Sequence, residues 1–341
     1  MNHFFGTFIS GTGEIVRAML EQRLKDGSIL SLLDGAVEFE TAVPYSDLNL
    51  FCFNNLFQVI HRGTLHEDES LDGYLKKLLA EEKTWGELKK SSPKIQTFRL
   101  VTSRQNQLTA VDPSLREKLE KMLGKKTGLR VNRSKPDTEF WVLSRSEGAI
   151  YFLQRLSKHM AYDKLLDPGE LHPELAYMMC WLTSPKYTDV VLDPFCGYGA
   201  IPLQRSKRFP FEKLYAFDIA DKPLARTREK LPRKNPRIVV DRRDALTLEK
   251  VLPPESVDAV ITDPPWGVFQ EVGMELGEFY RRMLLQFEAV LKPGGKLVLL
   301  TAAGEALSAA MEAVPGFSLR QEYHILVSGK KSGLYLLEKL R

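Results

Sequence analysis

The sequence predicts an α/β fold, with a Rossmann-like, seven-stranded sheet in the C-terminal half and an α+β region before it. Apolar segments of strand length alternate with helical segments from Leu171 onward, which is typical of a parallel sheet covered by helices on both faces. A glycine-containing turn follows the first of these strands. Near the end, residues 318–326 and 334–340 flank a turn that contains Gly329 and Gly333, which predicts an antiparallel hairpin.

Length and composition limit the class of protein. A chain of 341 residues with 43% hydrophobic and 27% charged residues can form two or three globular domains. Its cysteines, Cys52, Cys180 and Cys196, lie far apart, so they predict neither a metal site nor a disulfide framework and favour a reducing compartment. Because we find no secretory leader and no run of 18 apolar residues, we expect a cytoplasmic protein without a membrane span.

The N-terminal half divides into two segments of different character. Residues 1–62 combine short strands with a helix, as in a small α+β domain. Residues 63–157 contain helical segments, a basic helix at 114–125 and a predicted hairpin formed by 140–144 and 149–153. Residues 158–168 have the composition of a linker. We therefore predict domains at 1–62, 63–157 and 158–341.

Positive charge concentrates between Thr97 and Asp137, where ten basic residues face four acidic ones. A single basic helix is usually only a solvated face. Here the charge continues through helix, loop and strand, which favours a surface that contacts the phosphates of a nucleic acid. The candidates for these contacts are Arg99, Arg104, Lys125, Lys126, Arg130 and Arg133.

The turn after the strand at 190–192 has the features of a cofactor site. Gly197 and Gly199 allow close approach of a ligand to the backbone at the carboxyl edge of the sheet. A dinucleotide site would need a third glycine, but position 202 is proline, and Asp193 would repel a pyrophosphate. An acid there can instead accept hydrogen bonds from the ammonium group of S-adenosylmethionine (SAM). Phe195 and Cys196 complete this turn, and we interpret Cys196 as a packing residue rather than a nucleophile.

Acids also follow the next two strands in order. Asp218 ends the second strand, where a carboxylate typically binds ribose hydroxyls, and Ile219 could pack on the adenine ring. Asp244 and Ala245 follow the third strand, in position to receive the adenine amino group. This order of acids extends the predicted SAM site along the edge of the sheet.

A fourth buried strand, at 257–262, ends in Asp263, Pro264, Pro265 and Trp266. The prolines hold the backbone carbonyls stiffly, beside a carboxylate and an aromatic ring. This arrangement suits a flat ring with an exocyclic amine, such as a nucleobase. Taken alone, the four residues could equally be a turn that ends a strand. Their position after the predicted SAM site favours catalytic roles.

At these residues the chain resembles the class I SAM-dependent amino-methyltransferases. The turn at 193–199 resembles their first motif, and residues 263–266 resemble their (Asp/Asn)-Pro-Pro-aromatic motif. The segment that begins Leu171-His172-Pro173 resembles a helix that adds a cofactor contact in this class. Many relatives have Tyr or Phe where this chain has Trp266.

The N-terminal half adds a second resemblance. Thr97-Phe98-Arg99, the basic helix, residues 128–131 and Pro136-Asp137 resemble a THUMP domain, an RNA-binding module, and residues 1–62 resemble the ferredoxin-like segment that precedes it. The whole chain is thus similar to THUMP-containing guanosine-N2 RNA methyltransferases, chiefly the tRNA enzymes. The resemblance implies a monomer that uses SAM and no metal, with RNA, most of all tRNA, as its partner.

Three alternatives stay open. The substrate could be a guanosine of rRNA, and the same Asp-Pro-Pro-Trp chemistry would serve adenine N6 or cytosine N4. A non-catalytic RNA-binding protein with a degenerate domain is the third alternative. The acids Asp193, Asp218, Asp244 and Asp263 weigh against it.

Overall fold

The structure is a computed structural model that describes residues 1–24, 26–66, 68–88, 90, 94–105, 107–157, 166–167, 169–232, 234–267, 273–327 and 329–340. The chain folds into two compact units. The first comprises Met1–Thr7, Arg17–Asn49 and Phe53–Met160, and the second comprises Phe8–Val16, Leu50–Cys52 and Ala161–Arg341. Most of the linker predicted at 158–168 lies outside the described residues, and the predicted three-domain division stays a prediction.

One mixed sheet with helices forms the N-terminal unit. Counting only described residues, the sheet has nine strands in the order β2-β3-β1-β4-β9-β8-β5-β6, with β7 paired to β5. The hairpin predicted near Ser144 and Ala149 is present, because β8 and β9 pair antiparallel. The elements along this part of the chain are β1 (Asn2–Thr7), α1 (Gly13–Arg23), β2 (Ser28–Leu33), β3 (Ala36–Thr41), α2 (Tyr45–Leu48), β4 (Asn55–Thr64), α3 (Leu71–Ala80), α4 (Glu82–Glu87), β5 (Thr97–Arg104), β6 (Gln107–Leu108), α5 (Pro113–Thr127), β7 (Arg130–Val131), β8 (Thr138–Ser144) and β9 (Ala149–Arg155).

The basic helix of the sequence analysis is α5, and local signals set both of its ends. Asp112 caps the start by accepting hydrogen bonds from the backbone N–H groups of Ser114 and Leu115. Gly128 ends the helix in the left-handed conformation, with φ of 79°. The buried face, which includes Leu119 and Leu123, packs in the core of this unit. Its opposite face therefore carries the basic side chains.

The C-terminal unit contains the predicted Rossmann-like sheet. Within the part of the chain that is described, seven strands run in the order β12-β11-β10-β13-β14-β16-β15. The pairs from β12 to β14 are parallel, and β16 pairs antiparallel with both β14 and β15. The elements are α6 (Pro173–Leu182), β10 (Val190–Asp193), α7 (Ala200–Arg208), β11 (Lys213–Asp218), α8 (Asp221–Lys230), β12 (Ile238–Arg242), a 3-10 helix (Ala245–Lys250), β13 (Val257–Thr262), α9 (Leu276–Val290), β14 (Leu291–Thr301), α10 (Gly304–Ala313), β15 (Phe317–Val327) and β16 (Lys330–Lys339).

The core of the C-terminal unit lies between the sheet and the helices that cover it. Central strands such as β13 are buried nearly throughout, because helices cover the sheet on both faces. On one side, α9 buries residues at helical spacing, including Phe279, Met283 and Phe287.

Among the described helices, none combines the length and apolarity that a membrane crossing requires.

Candidate active site

The strand order creates a switch point between β10 and β13. From β10 the chain moves outward to β11 and β12, and then returns to place β13 on the other side of β10. Ligands of open α/β sheets bind at the carboxyl ends of strands at such a point. Asp193 is the last residue of β10 and Asp263 directly follows β13, so the fold brings these two sequence-predicted acids side by side.

Asp193 is a buried carboxylate with one unsatisfied oxygen. Its side chain is about 1% exposed. Oδ1 accepts hydrogen bonds from the Phe195 backbone N–H at 3.3 Å and from the Thr262 hydroxyl at 3.2 Å. Oδ2 is buried without a partner among the described residues. Burial raises the pKa of Asp193 well above its usual value, and the nearby charges of Asp218 and Asp263 raise it further. A cationic donor at Oδ2 would relieve this cost, as the ammonium group of SAM would.

The glycine turn is held open by backbone geometry. Gly197 and Gly199 have φ of 48° and 84°. The Gly197 N–H donates to Asp218 Oδ2 at 2.8 Å, and its carbonyl accepts from the Thr227 hydroxyl at 2.7 Å. A Cβ at Gly199 would lie 2.8 Å from the Thr227 oxygen, so only glycine fits there. The turn thus presents its backbone to the edge of the sheet.

The predicted adenosine-binding residues lie along the same edge. Asp218 ends β11, and its Oδ1 accepts from the Ala220 N–H at 2.9 Å. Because each carboxylate oxygen has two acceptor positions, Asp218 can brace the glycine turn and still bind hydroxyls. Ile219 exposes 61% of its surface, as a side chain that packs on a ligand would. Asp244 is exposed and caps the 3-10 helix through the Leu246 N–H, while Ala245 is buried.

The remaining predicted cofactor residues contribute packing. Phe195 is partly buried, and its ring lies 5.9 Å from that of Phe279. Cys196 is buried, and burial raises the pKa of its thiol well above the usual value, so a thiolate nucleophile is unfavourable. Leu171 is buried, and His172 is the N-cap residue of α6. The structure therefore supports a packing role for Cys196.

Asp263 and Trp266 contact each other directly. The indole Nε1 donates to Asp263 Oδ1 at 2.9 Å. Burial raises the pKa of Asp263 to about 7, and the indole hydrogen bond opposes this shift. The two proline carbonyls differ. That of Pro265 accepts from the Tyr280 hydroxyl at 3.2 Å, whereas that of Pro264 has no partner within the described part of the chain. A carboxylate and one carbonyl are therefore available to accept hydrogen bonds.

Sequence reasoning missed several residues that shape this site. Thr262 bonds to Asp193, Thr227 holds the glycine turn, and Tyr280 bonds to the Pro265 carbonyl. Thr262 could have been found, because a polar residue at the end of a buried strand, beside Asp263, is unusual. Thr227 and Tyr280 lie within helices and have no signal that separates them from other helical residues. The sequence also suggests Gln270 and Glu271 as contacts to the edge of the base, and both lie outside the described residues.

The six predicted RNA-contacting residues fall into two groups. Arg99 pairs with the buried Glu139, and Arg133, 62% exposed, lies 2.7 Å from Glu120. These two arginines compensate buried carboxylates, which ties them to the fold. The other four have no ion-pair partner among the residues described: exposed Lys125 and Arg130, and partly buried Arg104 and Lys126.

Comparison with known proteins identifies a family whose model matches this chain and several proteins of similar sequence. The UPF0020 family, described as an RMKL-like methyltransferase domain, matches residues 161–332. A tRNA (guanine(6)-N2)-methyltransferase of Thermus thermophilus is 30% identical over 250 residues, which cover 72% of this chain and 73% of that protein. The U6 snRNA (guanine-N(2))-methyltransferase THUMPD2 of Bos taurus is 29% identical over 178 residues, 52% of this chain, but the match spans only 35% of its length.

The solved structures agree with the sequence comparison. The crystal structure of TrmN from Thermus thermophilus superposes with a TM-score of 0.78 at 25% identity, and the alignment covers 100% of both chains. The predicted Rossmann-like fold of a class I methyltransferase is confirmed by this similarity.

Proposed function

The chain belongs to the UPF0020 family of RMKL-like methyltransferase domains, and from this we propose that it methylates the exocyclic N2 amine of a guanosine in tRNA, with SAM as the donor. The observation that carries the proposal is the partly buried Asp263 carboxylate, whose pKa is raised to about 7, beside the Pro264 carbonyl at the switch point next to Asp193. The Thermus relative, whose name gives tRNA guanine N2 as its target, supports the choice of substrate.

The residues of the sheet edge fit SAM. Its ammonium group matches the unsatisfied Asp193 Oδ2, its ribose matches Asp218, and its adenine matches Asp244 and the exposed Ile219. When bound, SAM supplies a methyl group on a positively charged sulfur. The proposed cofactor-binding set is Leu171, His172, Asp193, Phe195, Cys196, Gly197, Gly199, Asp218, Ile219, Asp244 and Ala245.

The residues after β13 would prepare the amine. The guanine N2 amine is a weak nucleophile because its lone pair is delocalised into the ring. Asp263 and the Pro264 carbonyl would accept its two hydrogens and draw the nitrogen toward tetrahedral geometry, which localises the lone pair. Trp266 would stack on the base once it has left its stem.

A proton must also leave the amine. Methylation leaves the nitrogen with one proton in excess, and Asp263 Oδ2 would take it. A carboxylate with a pKa of about 7 is well matched to this transfer near neutral pH, whereas an ordinary aspartate would be a weaker base. This chemistry calls for no metal ion.

The N-terminal part of the chain would bind the RNA. We assign residues 1–62 to a ferredoxin-like domain and 63–157 to a THUMP domain, with the methyltransferase domain at 158–341. The positive charge of α5 and of the residues after it supports contacts with RNA phosphates. The proposed contacts come from the four residues without an ion-pair partner among the described residues, Arg104, Lys125, Lys126 and Arg130. Arg99 and Arg133, which pair with Glu139 and Glu120, would add to the positive charge of the same region. We further propose a monomer that acts in the cytoplasm.

The test is nucleoside mass spectrometry of tRNA and rRNA incubated with the protein and SAM. We expect the protein to form N2-methylguanosine in tRNA. The Asp263→Ala variant should form none, while calorimetry should show that it still binds SAM with normal affinity. The control Asp241→Asn alters a partly exposed acid paired with Arg243 and should methylate normally.

Other products would redirect the proposal. Formation of N6-methyladenosine or N4-methylcytidine would show that the target base is adenine or cytosine, since a carboxylate and a carbonyl can hold any exocyclic amine. Methylation of rRNA alone would show that the substrate is rRNA and not tRNA. Absence of SAM binding would favour the non-catalytic RNA-binding protein.

A further inference from the structure

The Tyr280 hydroxyl connects the catalytic loop, defined as residues 263–267, to the end of a neighbouring strand. It lies 3.2 Å from the Pro265 carbonyl oxygen and 2.6 Å from Oγ1 of Thr301, the last residue of β14. The Thr301 oxygen also accepts from the Ala303 backbone N–H at 2.9 Å. Tyr280 and Thr301 are both 0% exposed. Three elements, the loop, α9 and β14, are thus joined by one buried network.

The chemistry of these groups fixes the direction of every bond. Burial raises the pKa of Tyr280, so the phenol remains protonated and can donate. A carbonyl can only accept, so the Tyr280 proton belongs to Pro265. The Thr301 hydroxyl must then donate to the Tyr280 oxygen, while accepting from the Ala303 N–H. The network runs in one direction, from the backbone after β14 to the catalytic loop.

The network also distinguishes the two proline carbonyls. The Pro265 carbonyl is occupied by Tyr280, while that of Pro264 has no partner among the described residues. Because proline fixes φ at both positions, holding one carbonyl restricts the direction of the other. The loop leaves through Gly267, at φ of 75°, where a Cβ would lie 2.9 Å from Leu276 at the start of α9. The loop is therefore held at its middle and at its end by the same helix.

We propose that Tyr280 and Thr301 are positioning residues, which hold the Pro265 carbonyl so that the Pro264 carbonyl and Asp263 face the amine of the substrate. This inference rests on the proposed function of the loop. The ring of Tyr280 packs among core residues such as Phe279 and Met283, and the hydroxyl alone serves the loop. Removing only that oxygen separates the two roles.

The variants are Tyr280→Phe, which keeps the ring, and Thr301→Val, which keeps the shape of the side chain. We expect each to lower kcat about tenfold or more, because small displacements of a reacting group have large kinetic effects, while SAM affinity stays unchanged. Thr301→Ser restores the hydroxyl and should restore kcat. The matched control is Tyr215→Phe, a partly buried tyrosine of β11 whose ring packs on Phe217.

The double variant tests whether the two hydroxyls act as one network. If they do, Tyr280→Phe combined with Thr301→Val will be little slower than the slower single variant, because either change already breaks the connection. An unchanged kcat in Tyr280→Phe would overturn the proposal. So would fully multiplicative effects, or a Thr301→Ser enzyme as slow as Thr301→Val.

Amide hydrogen exchange provides a readout that does not need methylation. In Tyr280→Phe and Thr301→Val the N–H groups of Trp266 and Gly267 should exchange faster, while those of the control stay at the wild-type rate. Unchanged exchange in all variants would contradict the positioning role even for an active enzyme. Faster exchange in a protein that methylates no guanosine would leave the network supported and refute only the proposed function.

Discussion

The indole Nε1 of Trp266 donates a 2.9 Å hydrogen bond to Oδ1 of Asp263, three residues earlier in the chain. This bond ties the predicted stacking ring to the predicted catalytic carboxylate. It occupies Oδ1 and leaves Oδ2 without a hydrogen-bond partner among the described residues. It also stabilises the ionised form of a carboxylate whose pKa burial raises to about 7. A phenylalanine at this position could not make the bond.

Trp266→Phe should therefore change the pH dependence of methylation. In the proposed mechanism the ionised Asp263 is the reactive form, so the wild-type rate should rise with pH and level off above about pH 7. Loss of the indole bond raises the pKa of Asp263, so the midpoint should move to higher pH and the rate at pH 7 should fall about threefold to tenfold. Single-turnover rates across pH measure this. Trp181→Phe, on α6, is the control, and an unshifted midpoint in Trp266→Phe would contradict the role of the bond.

Asp263→Asn should stabilise the fold at high pH while abolishing activity. The pKa of this acid is raised from 3.8 to about 7, so the folded state binds more protons than the unfolded state between those values. The wild type therefore loses stability as pH rises through this window, and the uncharged variant does not. We expect the variant to gain roughly 1 kcal/mol or more relative to wild type between about pH 4 and pH 8. Urea unfolding at both pH values measures the gain, and Asp241→Asn should show none.

The acids of the candidate site could be predicted from the sequence, but the residues that hold the site in place could not. Asp193, Asp218 and Asp263 could be found because each comes at the end of a buried strand, where parallel sheets place their ligands. Tyr280 could not, because inside an amphipathic helix a buried tyrosine looks like any core residue. The strand β2 was also missed, since its sequence, Ser-Ile-Leu-Ser-Leu-Leu, does not alternate apolar and polar residues.

Asp218→Ala should weaken SAM binding for two physical reasons. In the proposed cofactor site the carboxylate binds ribose hydroxyls, and in the structure it accepts from the Gly197 N–H at 2.8 Å and so braces the glycine turn. We expect the dissociation constant of SAM to rise about tenfold to a hundredfold, with kcat at saturating SAM largely retained. Calorimetry and steady-state kinetics check the two halves of this prediction. Asp218→Asn, which keeps one acceptor oxygen, should lie between the variant and wild type, and normal SAM affinity in Asp218→Ala would refute the assignment.

The two glycines of the turn should differ in their tolerance of alanine. At Gly199 the added Cβ would lie 2.8 Å from the Thr227 oxygen and the residue has φ of 84°, so Gly199→Ala should cost about 2–4 kcal/mol of stability. At Gly197 nothing lies within 4 Å of the added Cβ, and only the positive φ opposes the change, at about 1 kcal/mol. Urea unfolding of the Gly199→Ala and Gly197→Ala variants measures the difference in their free energies of unfolding. Equal losses would mean that contact with Thr227 does not constrain the turn.

Charge reversal of the unpaired basic residues should weaken RNA binding. In the variant with Lys125→Glu, Lys126→Glu and Arg130→Glu, up to three phosphate contacts are lost, so the slope of log affinity against log salt should become shallower by about 2–3 units. Arg99→Glu should act differently, because it would leave the buried Glu139 beside a like charge and should destabilise the N-terminal unit itself. Binding assays over a range of salt concentrations, with thermal unfolding in parallel, separate the two effects.

A charge-matched control decides whether this surface is specific. Lys83, Lys90 and Lys250 are exposed and lie outside residues 97–137, and their reversal changes the net charge by the same amount. If the charge of the whole protein attracts RNA, both triple variants will weaken binding equally. If α5 and the strand after it contact phosphates, only the first will flatten the salt dependence, because only contacts that displace counterions enter the slope.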